Sequence, residues 1–415
     1  MFAVDWIGPD GIKPNAVPAS IFIDPSSMPL DFEGRRYVPF KAGELHYALN
    51  LVTRPTYELI KSGKKFVYEI STAGASRDWA GGLAGFDHAF QHVPKTVVDA
   101  VRQDKAVILL NCTWEAHLFV EQGIFKDLTA SMETMGLPFK NVWVVTSNML
   151  AMEGASQLGN GSSKIYVVNF FEYFVRKDIE KYQESFVNEH EASQLTGRVR
   201  RFVCFNRRPH PHRQILVSEL IERGLVQHGF VSMPSPRDIG YQPLPTSVND
   251  QAAKEKIARL VEQSPLIIDS CDFSRNHAGT HIKDPYRLSW FSVVTETFFF
   301  GDHLGRMFLS EKTFKPIANY HPFIVAGLPG SLAALRSIGY MTFSPFINES
   351  YDQEQDPVRR MAMIIDEITR ICSLSDSDMS VWYSSLMPVL VHNATVIRSS
   401  DTLFKFRQDI YRHLF

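Results

Sequence analysis

Runs of four or five mostly apolar residues that stop abruptly at a polar one recur along this chain, with helix-like stretches between them. This rhythm constrains the fold more than any other feature. Ala106-Val107-Ile108-Leu109-Leu110-Asn111, Asn141-Val142-Trp143-Val144-Val145-Thr146 and Trp290-Phe291-Ser292-Val293-Val294-Thr295-Glu296-Thr297 are the clearest cases. A continuous apolar run, as opposed to strict alternation, marks a strand buried on both faces, which is what a parallel sheet with helical crossovers produces. Tyr47 to Ser62 reads as a helix, Lys65 to Ile70 as a strand, Pro94 to Gln103 as a helix and Glu115 to Met135 as mostly helix, with a further strand at Lys164 to Asn169. A polar stretch, Lys177 to Arg201, places a domain junction near Thr196-Gly197. The rhythm then restarts at Arg201-Phe202-Val203-Cys204-Phe205-Asn206. It continues through helices at His212 to Arg223 and Gln251 to Gln263, a strand at Pro265 to Asp269, and a core from Ser289 to Phe343. Arg359 to Cys372 and Thr402 to Leu414 read as closing helices, and residues 1 to about 45, rich in Pro and Gly, as an edge strand or a lid. The expectation is an α/β protein of two Rossmann-like parallel-sheet domains. Residues 1–196 form the first, 197–395 the second, and 396–415 a terminal helix.

At 415 residues the chain has room for two cores, and 45% hydrophobic with 21% charged residues describes a globular protein. A formal net charge of −2 gives no bulk attraction to nucleic acid or anionic membranes, so a polyanion must be met by a local patch. Cys112, Cys204, Cys271 and Cys372 form no CxxC pair and read as buried thiols in a reducing compartment. The start, Met1-Phe2-Ala3-Val4-Asp5-Trp6, has no basic region followed by an apolar core, and no stretch is long enough for a membrane span. A soluble, cytoplasmic protein is expected, the host cytoplasm if the chain is viral.

The strand at 290 ends in Thr295-Glu296-Thr297, and the carboxyl ends of strands are where open α/β sheets place ligands. In Phe308-Leu309-Ser310-Glu311-Lys312-Thr313-Phe314-Lys315-Pro316, Ser310 reads as an N-cap with Glu311 in the first helical turn. The unpaired N–H groups of a helix start favour phosphate, ribose hydroxyls or a carboxylate, and Lys312 and Lys315 add positive charge. Asn206-Arg207-Arg208-Pro209-His210-Pro211-His212-Arg213 lies between a buried strand and a helix start, so its guanidinium groups are placed for the same ligand. A solvated basic loop is the alternative.

The order of strand, Ser-Glu-Lys helix, Pro-Phe-Ile-Val strand and glycine turn resembles the donor-binding half of fucosyltransferase-type GT-B glycosyltransferases. Ser310 stands where those enzymes carry Thr, and Thr297 where they carry Asn. The resemblance covers roughly the C-terminal half and implies two domains facing across a crevice. It gives Glu311 to the nucleotide ribose, Lys312, Asn206, Arg207, Arg208 and Arg213 to the diphosphate, and Glu296 to donor hydroxyls, with Ser310 and Lys315 beside them. A nucleotide-sugar is then the co-substrate, with no obligatory metal. The acceptor is a glycan, a small molecule or a hydroxymethylated DNA base, and direct displacement with inversion needs a base from the N-terminal domain. Glu115, after the strand at 106, and Asp78, in the Gly-rich loop Ser71 to Gly82, are the candidates, with Asp87 and His88 close behind. His210 and His212, with Cys204 or His281, are a weaker metal-site reading, and Asp376-Ser377-Asp378 more simply caps the helix that follows. Phe298-Phe299-Phe300 reads as core. A rival function is a non-catalytic nucleic-acid-binding protein that grips phosphate through the Arg/His-rich loop, aided by Arg198-Val199-Arg200-Arg201.

Overall fold

The structure is a computed structural model and describes residues 2–5, 7–8, 11–12, 56–71, 93–113, 124–152, 163–235, 251–268, 281–301 and 305–415. The chain divides into two compact units, Met1–Phe170 with His303–Phe308 and Asp401–Phe415, and Phe171–Asp302 with Leu309–Ser400.

In the first unit the described elements are β1 (Phe2–Asp5), a short β2–β3 ladder (Ile7–Gly8, Gly11–Ile12), α1 (Thr56–Ser62), β4 (Phe66–Ser71), α2 (Lys95–Arg102), β5 (Ala106–Cys112), α3 (Ile124–Thr134), β6 (Val142–Thr146) and β7 (Lys164–Val167). The five-stranded sheet runs β1-β4-β5-β6-β7 with parallel pairing throughout. The edge-strand alternative thus holds for residues 2–5, while Ala19 to Ile23 lie outside the described residues. One face of the sheet buries Phe66, Tyr68, Ile108, Leu110 and Val144 against Val97, Val101, Leu128 and Met132 of the helices. The apolar runs are explained by this: β5 and β6 are buried at every position.

The second unit holds α4 (Phe170–Lys181), α5 (Glu189–Ser193), β8 (Arg200–Cys204), α6 (Pro211–Glu222), β9 (Gly229–Val231), α7 (Gln251–Gln263), α8 (Asp284–Arg287), β10 (Ser289–Thr295), α9 (Glu311–Ala318), β11 (Phe323–Ala326), α10 (Ser331–Ser337), α11 (Pro357–Cys372) and α12 (Asp376–Ser399). Its sheet, β11-β10-β8-β9, is also parallel. Both units are therefore α/β, as the strand rhythm requires. The terminal helix α13 (Phe404–Leu414) is grouped with the first unit, where Asp409 accepts a 2.8 Å hydrogen bond from the Tyr166 hydroxyl.

The compact units part between Phe170 and Phe171, so the polar stretch from Lys177 onward belongs to the second. The polar stretch Lys177 to Arg201 contributes the end of α4 and all of α5, and earlier on α4 Glu172 accepts a 2.6 Å bond from the Tyr340 hydroxyl within the second unit. The strand expected at Pro265 to Asp269 is corrected over its described residues, 265–268: only Leu266 pairs, in an isolated antiparallel bridge with Met233. Pro265 lacks the N–H a ladder needs. The terminal segment separates at Asp401, since α12 runs unbroken to Ser399. Glu172 and Tyr340 are both buried, so Tyr340→Phe is expected to lower stability by about 1–3 kcal/mol by removing one hydrogen-bond donor from the carboxylate. Urea denaturation checks this, and a loss within error of zero would show the bond to be dispensable.

Candidate anion-binding site

β8 and β10 are parallel neighbours, so the segments that leave their carboxyl ends start side by side. One is the turn Asn206 to His210 leading into α6, and the other leads from Glu296 to Ser310 and α9. Backbone geometry makes Ser310 the N-cap of α9, with its Oγ accepting from the Lys312 amide. Lys312 Nζ also donates to that oxygen at 3.0 Å and lies 3.2 Å from Glu311 Oε1. The single hydroxyl proton of Ser310 goes to Glu296 Oε2 at 2.6 Å.

Glu296 is the hub. It is buried, and its two carboxylate oxygens accept from Ser310 N (3.0 Å), Ser310 Oγ (2.6 Å), Thr313 Oγ1 (2.5 Å) and Thr297 N (3.1 Å). Its backbone carbonyl accepts from His212 Nε2 at 2.9 Å and Arg213 Nη2 at 3.2 Å. The side chain thus fixes the start of α9, and the main chain of the same residue fixes the start of α6. At its strand end Glu296 could hold donor hydroxyls or bond a neighbouring loop, and its carboxylate is committed to the loop and the start of α9.

Arg213 is likewise buried and spends its guanidinium on the carbonyls of Arg208, Thr295 and Glu296. Burial lowers its pKa to about 10, against the pull of Glu296 and Glu311. It braces the turn. Asn206 is buried too: its amide nitrogen reaches Cys204 Sγ at 3.3 Å and its side-chain oxygen accepts from Thr295 Oγ1 at 2.8 Å. The Pro209 carbonyl accepts from Gln214 Nε2 at 2.6 Å. A turn whose carbonyls are held this way has little backbone entropy left to lose when its remaining side chains engage a ligand.

Those remaining side chains are Arg207, half-buried, and Arg208, exposed. Neither guanidinium has a hydrogen bond or ion pair among the described residues. Burial lowers the Arg207 pKa, the like charge of Arg208 lowers it further, and Glu311 opposes both. That dependence places the Arg207 charge within electrostatic reach of the first turn of α9, so the two sequence segments converge. Burial works to raise the Glu311 carboxyl, but Lys312 and Lys315 outweigh it and hold it below the ordinary range. Lys315 is itself lowered, by burial first, with Glu311 and Asp178 on the other side of the balance.

His212 does not stand as an open ligand. Its ring lies 5.5 Å from Phe299 and 6.1 Å from His210, nearly parallel to both, and burial followed by the Arg213 and Lys312 charges keeps it neutral. His281 stacks 3.9 Å from Phe186, and among the described residues no group of metal-binding side chains comes together. Asp376 and Asp378 occupy the first turn of α12 behind the Ser375 cap. Phe299 and Phe300 are buried, as a core reading requires. Arg198 donates to the carbonyls of Ser289 and Ala192 and lies over Tyr383, and Arg201 pairs with Asp376 and the Leu374 carbonyl. Most of the charge of the 198–201 segment is therefore spent inside the unit. Asp352 accepts from the Leu332 and Ala333 amides, and Glu349 from Phe343 N, so neither faces a ligand freely. Glu115, Asp78, Asp87 and His88 lie outside the described residues.

No family model matches this chain, and no curated protein matches it. Among solved structures it is similar to a UDP-forming alpha,alpha-trehalose-phosphate synthase from Burkholderia xenovorans: TM-score 0.36, 12% identity, 89% of this chain and 97% of that one. It is similar to the enzyme of that name from Burkholderia vietnamiensis with TM-score 0.36 and 11% identity, over 89% of this chain and 96% of that one. Likenesses this distant assign no activity. Among the described residues no helix is long and apolar enough to cross a membrane.

Proposed function

We propose that the chain is a cytoplasmic glycosyltransferase of GT-B type that binds a nucleotide-sugar at the carboxyl ends of β8 and β10. The observation that carries this reading is the pair of unpartnered guanidinium groups, Arg207 and Arg208, held by a braced turn beside the Ser310-capped start of α9. Two like charges kept together, with only Glu311 acting against their repulsion among the described residues, repel one another, and a diphosphate relieves that repulsion while accepting their paired donors. As the bond from sugar to phosphate breaks, negative charge grows on the leaving diphosphate, and Arg207, Arg208, Lys312 and the positive end of the α9 dipole stabilise it. Glu311, acceptor-only and next to Lys312, suits the ribose hydroxyls. Within this proposal the fucosyltransferase-type resemblance supplies the finer expectation of inversion without an obligatory metal. Ser310, Glu296, Asn206 and Arg213 serve as the frame, and Lys315 adds positive charge beneath it. The base that receives the acceptor proton remains among the proposed Glu115 and Asp78. For the acceptor, a glycan or small hydroxyl compound is preferred to a modified DNA base, because the 198–201 arginines are largely engaged.

A panel of nucleoside diphosphates tests the reading by thermal shift. At least one is expected to stabilise the chain by about 2.7 kcal/mol when present at a hundred times its Kd. Arg207→Ala and Arg208→Ala should each weaken that binding by about 10- to 100-fold, the value of a charge-assisted hydrogen bond. No response to any nucleoside diphosphate would end the proposal. A response to oligonucleotides alone, lost steeply with salt, would establish the nucleic-acid-binding rival.

A further inference from the structure

β4 is flanked by strands on both sides, so Phe66-Val67-Tyr68-Glu69-Ile70-Ser71 has no edge through which a charge can reach water. Phe66 and Tyr68 join the apolar core, and Glu69 points to the opposite face with Asn111, two residues beyond its register partner Leu109 on β5. Both are buried. Thr113 donates to Asn111 Oδ1 from its amide at 3.2 Å and its hydroxyl at 2.8 Å, which fixes the amide so that Nδ2 is the end turned to Glu69. Asn111 Nδ2 donates to Glu69 Oε1 at 2.6 Å. The chain of hydrogen bonds ends there: Glu69 Oε2 has no partner among the described residues.

We propose that the carboxyl ends of β4 and β5 hold a second site, for an uncharged hydroxyl-bearing ligand such as a sugar, in which Glu69 Oε2 makes the hydrogen bond that the protein leaves open. An orphaned buried carboxyl is costly, and glutamine would satisfy Asn111 equally well, so the second oxygen has a use only for something other than packing. Burial pushes the Glu69 carboxyl up to about 8, the Asn111 bond opposing, so at neutral pH it carries a proton and acts as a donor. A neutral donor beside an amide discriminates against anions, since among the described residues no cation acts on Glu69, and favours a hydroxyl oxygen, which can accept from Glu69 and donate in turn. The position, at the carboxyl ends of parallel strands, is the one at which such sheets bind ligands. The site stands on its own geometry; taking its occupant as the acceptor of glycosyl transfer rests on the function proposed above.

The test uses the full chain and a panel of methyl hexopyranosides, with methylammonium and inorganic phosphate as charged controls. The protonated Glu69 carboxyl is followed by its infrared carbonyl band, assigned by its loss in Glu69→Gln. A binding hexoside is expected to shift the band saturably, to move its titration by at least about one pH unit, and to bind Glu69→Leu at least about tenfold more weakly. A band that no hexoside moves, binding undiminished in Glu69→Leu, or a response to methylammonium or phosphate in its place would each overturn the proposal. Nucleoside diphosphate binding is measured on the same samples. Its absence, with the hexoside response intact, would remove the glycosyltransferase reading and leave this site.

Discussion

Replacing Glu296 with alanine is expected to lower stability by at least about 3 kcal/mol and to weaken nucleoside diphosphate binding with it. The carboxylate accepts from two backbone amides and two hydroxyls, all in a buried setting, and its removal orphans those donors at once. Such a loss corresponds to a fall in melting temperature of roughly 6–12 °C for a unit of this size. Glu296→Gln is the sharper variant. It keeps the volume but turns an N–H₂ group toward donors on one side, so it should forfeit most of the same stability. Because Ser310 would lose the acceptor of its hydroxyl proton, the start of α9 would loosen. Hydrogen exchange at Ser310 and Thr297 should then accelerate before global unfolding. A Glu296→Gln protein that melts within about 2 °C of the parent would show that the carboxylate is not what joins the two segments.

The parts of this site that were legible in the sequence are those set by local chemistry. Ser310 announces itself as a cap because a hydroxyl followed by Glu-Lys at a helix start has few other uses, and the structure gives it that geometry. The positions of the 206–213 turn and the 310 helix followed from strands that had to be buried and parallel. What each polar group does with its hydrogen bonds depended on partners far away in the chain. Arg213 and Arg208 look equivalent in sequence, yet the helix start carries Arg213 inward to carbonyls on β10 and leaves Arg208 in solvent. Glu296 sits at a strand end, where an acidic residue can bind a ligand or a neighbouring loop, and only the meeting with Ser310 and Thr313 decides between them. The polar stretch Lys177 to Arg201 hid the last turn of α4 and the short helix α5, because their charges outweigh the few apolar residues, such as Ala192, that they bury. Glu69 was hidden for the opposite reason. Inside an apolar strand a single glutamate does not disturb the pattern, and its significance arises from the unpaired oxygen.

Glu69→Gln is expected to stabilise the first unit, and by an amount that depends on pH. The folded-state pKa of Glu69 is raised from 4.5 to about 8, so the folded chain holds a proton that the unfolded chain has released. Wild-type stability from this group is therefore fully present below about pH 4.5 and falls by about 1.4 kcal/mol per pH unit until about pH 8, where it levels. At pH 7 the accumulated loss is about 3 kcal/mol. Glutamine has no such proton to bind, and its carbonyl can still accept from Asn111 Nδ2, so its stability should lack this slope. Urea denaturation at pH 5, 7 and 8.5, followed by a probe in the first unit such as Trp143, should show the two proteins nearly equal at the lowest pH. They should diverge by about 3 kcal/mol at pH 7 and more at the highest. Parallel pH profiles would mean that Glu69 is not held protonated by the fold.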